Sequence, residues 1–365
     1  LTVNGSFVTD TLRMEGGTLT LNGDGSSFNH VVLAGTAEGV VLDVNRNTVM
    51  GDLTDSGEGA DLNIGSGATL TINDASSLSA STIQGSGTLA LHDTLALSGT
   101  ASLQGGVLLD LVKNGDSTGT LDLGSTTGNT VAGISGQGTL KSNGGALAVN
   151  TGNSGSGSVF SGTLEGRGQL NISGNAGQTL ENVIPAAGSN WAINNTGRLN
   201  IKMGGTVEDP RANTALTLSS LTLGDGSSTN LTFNTDYAGP IISVTGNISI
   251  SQGAEITLSS TGKNELTLGA DGSYTLMHAD GTIDLGGSDR LAILLDPSSS
   301  AFKKFENDAY LVMENGNLVL VATASKDNKY ARLADTVNSR AGAELLWNLP
   351  GAVSYTHLRA HETKA

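Results

Sequence analysis

The chain repeats a short phrase whose first copy reads Ile83-Gln84-Gly85-Ser86-Gly87-Thr88-Leu89. Two further copies follow, Ile134-Ser135-Gly136-Gln137-Gly138-Thr139-Leu140 and Leu164-Glu165-Gly166-Arg167-Gly168-Gln169-Leu170. Apolar residues and glycines hold every second position with polar residues between them, a pattern typical of a strand with one buried face. We predict that the glycines point inward, where the missing Cβ lets the chain bend and lets a neighbouring backbone approach closely.

A second repeated phrase predicts a strand, a corner and another strand. It runs from Leu62 to Ile72 with a Gly-Ala pair at its centre. The same spacing returns from Ile248 to Leu258, and a looser copy runs from Leu95 to Leu103. Recurrence of one strand-and-corner unit along a chain is the mark of a solenoid. The sequence therefore predicts an all-β solenoid.

The composition favours a thin stacked core over a wide globular one. The 365 residues include 52 glycines, and only 4% are aromatic and 14% charged, against a typical charged share of about 25%. Short apolar strands separated by Gly, Ser, Asn and Thr suit a core only a few side chains across. A disordered low-complexity chain is the alternative, but apolar pairs at i, i+2 spacing throughout the sequence argue against it.

Charge and cysteine content exclude several classes of partner and site. The net charge is −16 without a basic run, so no nucleic-acid partner is expected. The absence of cysteine excludes a disulfide framework and zinc–thiolate sites. No stretch approaches the roughly 20 apolar residues of a membrane helix. The chain begins at Leu1 in mid-strand, and we expect it to be a fragment of a longer protein.

The candidate chemical motifs are weak, and we expect no catalytic residue, cofactor or metal site. Gly115-Asp116-Ser117 resembles the serine motif of a lipase family, but no Asp-x-x-His block follows it, which favours a turn. The histidines are scattered singly and lack metal-ligand spacing. Asp43 and Asp110 lie within apolar runs and are interpreted as outward-facing residues of ordinary core strands.

The run from Val159 to Gly174 resembles the passenger-associated repeat of bacterial autotransporters, in which a Gly-Thr-Leu phrase is followed by a Leu-Thr-Leu-x-Gly strand. Here the two parts are Gly162-Thr163-Leu164 and Leu170-Asn171-Ile172-Ser173-Gly174. The resemblance implies a right-handed parallel β-helix that is exported to the cell surface. We assign residues 1–271 to the turns of this β-helix.

Residues 272–324 have longer strands and more aromatic residues, and we interpret them as a cap on the last turn. Asn315-Gly316, followed by Leu318 in the next apolar run, predicts a β-hairpin because Asn-Gly fits a type I′ turn. The segment resembles the autochaperone region of autotransporter passengers.

Residues 325–352 are predicted to form a polar linker and one short helix, Tyr330 to Trp347, which Pro350-Gly351 ends. One face of that helix carries apolar residues at i, i+4 spacing, namely Leu333, Val337, Ala341 and Leu345. The segment resembles the start of an autotransporter translocator, where a helix threads a membrane barrel. An ordinary amphipathic helix packed on the solenoid end is the alternative. Residues 353–365 resemble the translation of a sequencing adapter, an artefact outside the natural chain.

Two functional hypotheses follow from the resemblance. In the first, the chain is a non-enzymatic passenger stalk with the role of an adhesin, held at the outer membrane by its own C-terminal β-barrel. Its extracellular partners would be a host-cell or carbohydrate surface. In the second, it is the stalk of a secreted protease or esterase whose catalytic domain lies upstream of Leu1.

Overall fold

The computed structural model describes residues 1–36, 39–152, 157–204, 215–234, 239–261, 266, 273–302 and 305–324. These residues form an all-β, right-handed parallel solenoid of about 10 turns, which confirms the fold class predicted from the sequence. Each full turn places strands on three faces, here named A, B and C, which the chain visits in that order. The pattern of parallel pairing between successive turns defines each face.

The strands of the three faces follow in chain order. Face A contains Thr2–Val3, Gly17–Leu21, Val40–Val44, Asp61–Ile64, Thr82–Gly85, Ser102–Leu103, Asn129–Val131, the ends of Thr139–Asn150 and Thr163–Ser173, Asn190–Asn195, Ser220–Leu223, Ile248–Ile250 and Ile283–Asp284. Face B contains the starts of Val8–Met14, Ser26–Gly35 and Thr48–Gly57, then Thr69–Ile72, Thr88–Leu91, Leu108–Leu111, Gly133–Gly136, Ser158–Phe160, Gln178–Glu181, Arg198–Lys202, Ser228–Phe233, Glu255–Ser260 and Arg290–Leu295. Face C contains the ends of those first three long strands, then Ser76–Leu78, Thr94–Leu97, Thr120–Asp122, the starts of Thr139–Asn150 and Thr163–Ser173, Ile184–Pro185, Leu216–Leu218, Ile242–Val244 and Ser273–Ala279.

The core is a set of apolar columns that run along the solenoid axis. One such column on face A pairs five buried side chains in register, Leu19, Leu42, Leu62, Ile83 and Leu103. Burying a side chain of this size contributes roughly 1.5–3 kcal/mol. Since strand residues alternate between faces of the sheet, the residues between these positions point outward. The structure thus confirms the thin core that the composition predicted.

The outward positions form polar ladders from turn to turn. Asp43 accepts hydrogen bonds from the Thr20 hydroxyl (3.1 Å) and from the Asn63 amide (2.8 Å). Asp110 accepts one from the Ser135 hydroxyl at 2.9 Å. Both carboxylates are therefore outward-facing residues of ordinary core strands, as the sequence predicted.

The strand–corner–strand units are confirmed, but the length of a turn varies along the chain. Leu62 to Ile72 forms the strands Asp61–Ile64 and Thr69–Ile72, and Ile248 begins the strand Ile248–Ile250 that precedes Glu255–Ser260. Asp61 pairs with Thr82, whereas near the C-terminal end Ile248 pairs with Ile283, so the later turn takes more residues. The face A column continues through this longer turn, because Ile248 pairs in register with Leu221 before it and with Ile283 after it.

Buried polar side chains satisfy backbone N–H groups near the corners and where the strands are short. In each case a hydroxyl or amide oxygen of a later residue accepts the bond: Ser26 from Phe7, Ser76 from Leu53, Ser81 from Ala60, Asn129 from Leu103, and Gln178 from Ile134. An unsatisfied buried donor costs about 1–3 kcal/mol, so these side chains are part of the ladder that holds the turns together.

An antiparallel hairpin closes the C-terminal end of two faces, as predicted. Its strands are Phe305–Glu314 and Asn317–Ala324, and we call it the capping hairpin. Asn317–Ala324 pairs with Ser273–Ala279, the last strand of face C, while Phe305–Glu314 pairs with Arg290–Leu295, the last strand of face B. One hairpin therefore covers both open edges, which would otherwise be free to pair with another chain.

Among the residues that the structure describes, the only helical element is a single 3₁₀ turn, Ser300–Phe302. The linker and helix predicted over 325–352, with Leu333, Val337, Ala341 and Leu345, lie outside the described residues. The adapter-like residues 353–365 lie outside them as well.

Candidate functional site

The first two copies of the repeated phrase lie at corners between faces. In the first copy, the strands Thr82–Gly85 on face A and Thr88–Leu91 on face B flank the corner. The expectation of one strand through the phrase is therefore wrong for this copy. Ile83 and Leu89 are buried in successive faces, which keeps the period-2 pattern across the corner. In the second copy, Gly133–Gly136 ends on face B and Thr139–Asn150 begins on face C, with Ile134 and Leu140 buried.

The glycines of these two corners lie against the backbone of the preceding turn. A Cβ on Gly85 would lie 2.1 Å from the Ile64 carbonyl oxygen, and one on Gly87 would lie 2.4 Å from that of Gly65. At Gly136 and Gly138 the distances to the nearest carbonyl oxygens are 2.2 and 2.0 Å. No side chain fits at these distances, so the glycines permit the close stacking of corners.

The third copy lies within one continuous strand, Thr163–Ser173, which bends at Gly166 and passes from face C to face A. Leu164 and Leu170 are buried, one on each side of the bend. Gly168 pairs with Trp191 of the next turn, and a Cβ there would lie 2.7 Å from the indole ring. The glycine thus makes room for the fully buried tryptophan.

We expect Gly85→Ala to destabilise the protein by about 2–3 kcal/mol. Gly85 has φ +122°, a region that side chains avoid at a cost of about 1–3 kcal/mol, and the added methyl would also force the Ile64 carbonyl to move. Gly5→Ala is the matched control, because no atom lies within 4 Å of the position that its Cβ would take. Denaturant unfolding compares the two, and equal stability of both variants would contradict a tight corner.

The predicted turn of the capping hairpin has the geometry that its residues suggest. Asn315 and Gly316 have φ values of 49° and 77°, as a type I′ turn requires, and Glu314 pairs with Asn317 across it. Leu318 is fully buried. The hairpin turn is fixed to the solenoid by a hydrogen bond from Ala279 N to Gly316 O at 2.9 Å.

His278 adds a second link between the solenoid and the capping hairpin. Its Nδ1 lies 2.9 Å from Asn317 Oδ1, and its Nε2 lies 3.1 Å from Asp280 Oδ1. The bond to Asn317, followed by that to Asp280, raises the pKa of His278 above its usual value, and partial burial opposes the rise only weakly. Both ring nitrogens face oxygen acceptors, so the imidazolium form makes both bonds.

We therefore expect the capping hairpin to hold more weakly at higher pH. Because the pKa of His278 is raised on folding, its contribution is complete below about pH 6.5 and is lost as the pH rises through the folded value. Amide hydrogen exchange of Gly316 and Asn317, measured from pH 5 to 8 and corrected for intrinsic exchange, reports the change. His278→Gln should remove the pH dependence and His92→Gln should retain it, whereas a dependence that survives His278→Gln would assign it to another group.

Gly115-Asp116-Ser117 forms a turn, as expected. It connects two short antiparallel strands, Lys113–Asn114 and Ser117–Thr118, at the corner between faces B and C. We call these residues, 113–118, the finger. The motif predicted a turn but gave no sign of the antiparallel pair, since strands of two residues carry no readable periodicity.

A polar cleft lies beside the finger along the same corner. It is lined by Lys113, Gln137, Ser161, Gly162, Thr163 and Ile184, and its volume is about 220 Å³. Gln137 and the pair Ser161–Gly162 occupy the B–C corner of successive turns, because Gln137 follows the strand Gly133–Gly136 and Ser161 follows Ser158–Phe160. The cleft leaves no local pattern in the sequence, because its residues come from turns more than 20 positions apart.

One anion site in the described solenoid is filled by the chain itself. Asp55 accepts hydrogen bonds from three consecutive backbone N–H groups, those of Ser79, Ala80 and Ser81, at 2.7–2.8 Å. Partial burial raises the pKa of this carboxyl, but the bonds from Ala80, Ser79 and Ser81 outweigh it and hold the pKa below its usual range. The carboxylate therefore ties two turns together.

The described residues contain no group of three or more His, Asp or Glu side chains that could hold a metal ion. His30 and His278 each pair with a single carboxylate, Asp52 at 2.9 Å and Asp280 at 3.1 Å. Among the same residues, no helix is both long and apolar enough to cross a membrane.

Comparison of the chain with protein-family models, with curated proteins and with solved structures found no significant match in any of the three.

Proposed function

We propose that this chain is the β-helix stalk of an autotransporter passenger, a non-enzymatic protein of the cell surface with the role of an adhesin. The feature that carries the proposal is the long parallel solenoid closed at its C-terminal end by the capping hairpin. Because each turn contacts mainly its neighbours, such a rod extends a binding surface away from its point of attachment.

The position of the cap at the C-terminal end supports this proposal, because it suits the direction in which an autotransporter passenger is secreted. An autotransporter passenger leaves the pore with its C-terminal part nearest the membrane. A cap that directly precedes residues 325–352 in the chain would give the emerging passenger a finished edge on which earlier turns can stack. Outward polar ladders such as Thr20–Asp43–Asn63 would keep the finished rod soluble outside the cell.

Surface display tests the proposal. Residues 1–352 are placed ahead of the translocator of an established autotransporter, in place of its own passenger, in a bacterium with an outer membrane. We expect intact cells to expose the solenoid to added protease and to an antibody against it. Retention of the chain in the periplasm, while the original passenger is displayed at the same expression level, would overturn the proposal.

A further inference from the structure

The polar side chains of the cleft beside the finger have no partner among the residues that the structure describes. In the described part of the chain, Lys113, Gln137, Ser161 and Thr163 make no side-chain hydrogen bond or ion pair to another residue. Neighbouring outward positions behave differently, since Lys141 pairs with Asp122 at 3.2 Å. Four donors converging on one cleft are thus free to bind a ligand.

The charge of the lining indicates what kind of ligand fits. Lys113 supplies the one ionised group among the lining residues, on a chain whose net charge is −16. An ammonium group that has no counter-ion among the described residues favours the binding of an anion. The rest of the molecule is acidic and would tend to repel such a ligand. The cleft is therefore a locally basic site on an acidic molecule.

The remaining lining residues indicate hydroxyl groups beside that anion. Gln137, Ser161 and Thr163 can each donate and accept a hydrogen bond, which matches a ligand hydroxyl. Ile184 is 36% exposed and provides an apolar wall on which the C–H face of a ring can rest. Along the axis the cleft spans from the finger to Ile184, three turns on, or roughly 14 Å at about 4.8 Å for each turn.

We propose that the cleft lined by Lys113, Gln137, Ser161, Thr163 and Ile184 binds a carboxylate-bearing sugar residue, with Lys113 on the carboxylate and the other polar groups on the hydroxyls. In an intact passenger this sugar would belong to a surface polysaccharide. That setting rests on the proposed function, whereas the binding itself is a property of the folded chain.

Matched small ligands test the proposal on the purified chain. We expect ligand-observed NMR or calorimetry, at one fixed low ionic strength, to detect binding of methyl glucuronide. Methyl glucoside lacks the carboxylate and acetate lacks the hydroxyls, so each should bind at least about tenfold more weakly, or about 1.4 kcal/mol. If acetate or inorganic phosphate binds as tightly as methyl glucuronide, the cleft is a simple anion site and the sugar assignment is wrong.

Variants locate the binding. Lys113→Met should weaken methyl glucuronide binding at least about tenfold, and Ser161→Ala combined with Thr163→Val should weaken it further. Arg46→Met is the matched control, because it removes one exposed cationic side chain at a distant corner and should leave the affinity unchanged. Equal affinity of the wild type and Lys113→Met, or no binding at all, would overturn the proposal. Failure of surface display would leave this result intact, so the two proposals fail separately.

Discussion

Gln178→Ala is expected to destabilise the solenoid by about 3–5 kcal/mol. Gln178 is fully buried on face B and bonds to a strand 44 positions earlier: its Oε1 accepts from Ile134 N and its Nε2 donates to Ile134 O, both at 2.9 Å. Its Nε2 also donates to Ser158 O at 3.2 Å. Truncation leaves a buried N–H and C=O unsatisfied, at about 1–3 kcal/mol each, and opens a cavity.

The side chain of Gln178 is needed because the intervening turn pairs poorly with Gly133–Gly136. The strand of that intervening turn is Ser158–Phe160. Between it and Gly133–Gly136, the only paired residues in the described chain are Gly136 and Phe160. The glutamine amide therefore takes the place of a peptide unit in the ladder. Like a backbone group, it supplies one oxygen acceptor and one N–H donor, in this case to Ile134.

Two further variants separate this role from simple packing. Gln178→Met keeps most of the side-chain volume and loses the bonds, so we expect it to remain at least about 2 kcal/mol less stable than the wild type. Gln137→Ala changes an exposed glutamine whose side chain has no partner among the described residues, and it should stay within about 0.5 kcal/mol of the wild type. Urea unfolding measures all three, and a wild-type midpoint for Gln178→Met would show that Ile134 has other partners.

Gln178 leaves no readable signal in the sequence because its contacts are not local. Contacts within one strand–corner–strand unit, such as Leu62 to Ile72, leave a local pattern that can be read from spacing. The Asn315-Gly316 turn is equally local, and it was predicted correctly. Gln178 acts across two turns of unequal length, and no periodic signal encodes which turn pairs poorly.

The corner glycines were predicted only in part from the alternation of apolar and polar residues. Alternation predicted that Gly85 and Gly87 permit a close approach, which the structure confirms at 2.1 and 2.4 Å. It did not predict that the chain turns a corner within the phrase, because Ile83 and Leu89 both stay buried although they lie on different faces. A period of two is preserved whether the chain continues straight or turns.

The two ends of the solenoid differ, and this difference predicts unequal effects of matched core changes. At the C-terminal end Asn317–Ala324 has a partner strand on each side, Phe305–Glu314 and Ser273–Ala279. At the other end Thr2–Val3 pairs with Gly17–Leu21 alone among the described strands. The doubly paired end is the better candidate for the part that folds first and supports the stacking of the rest.

We expect Leu318→Asp to prevent the folding of the whole rod, while Leu19→Asp loosens only the opposite end. Both leucines are buried, at 0% and 4% exposure, so each carboxylate meets a similar apolar surrounding and costs several kcal/mol locally. Loss of the capping hairpin exposes the edges of faces B and C together and removes the support for every earlier turn. Limited proteolysis with mass spectrometry should therefore show cleavage throughout Leu318→Asp and, in Leu19→Asp, cleavage confined to the first turns. The same cleavage pattern in both variants would mean that the turns fold without a C-terminal nucleus, because a chain of equivalent units responds alike wherever its core is charged.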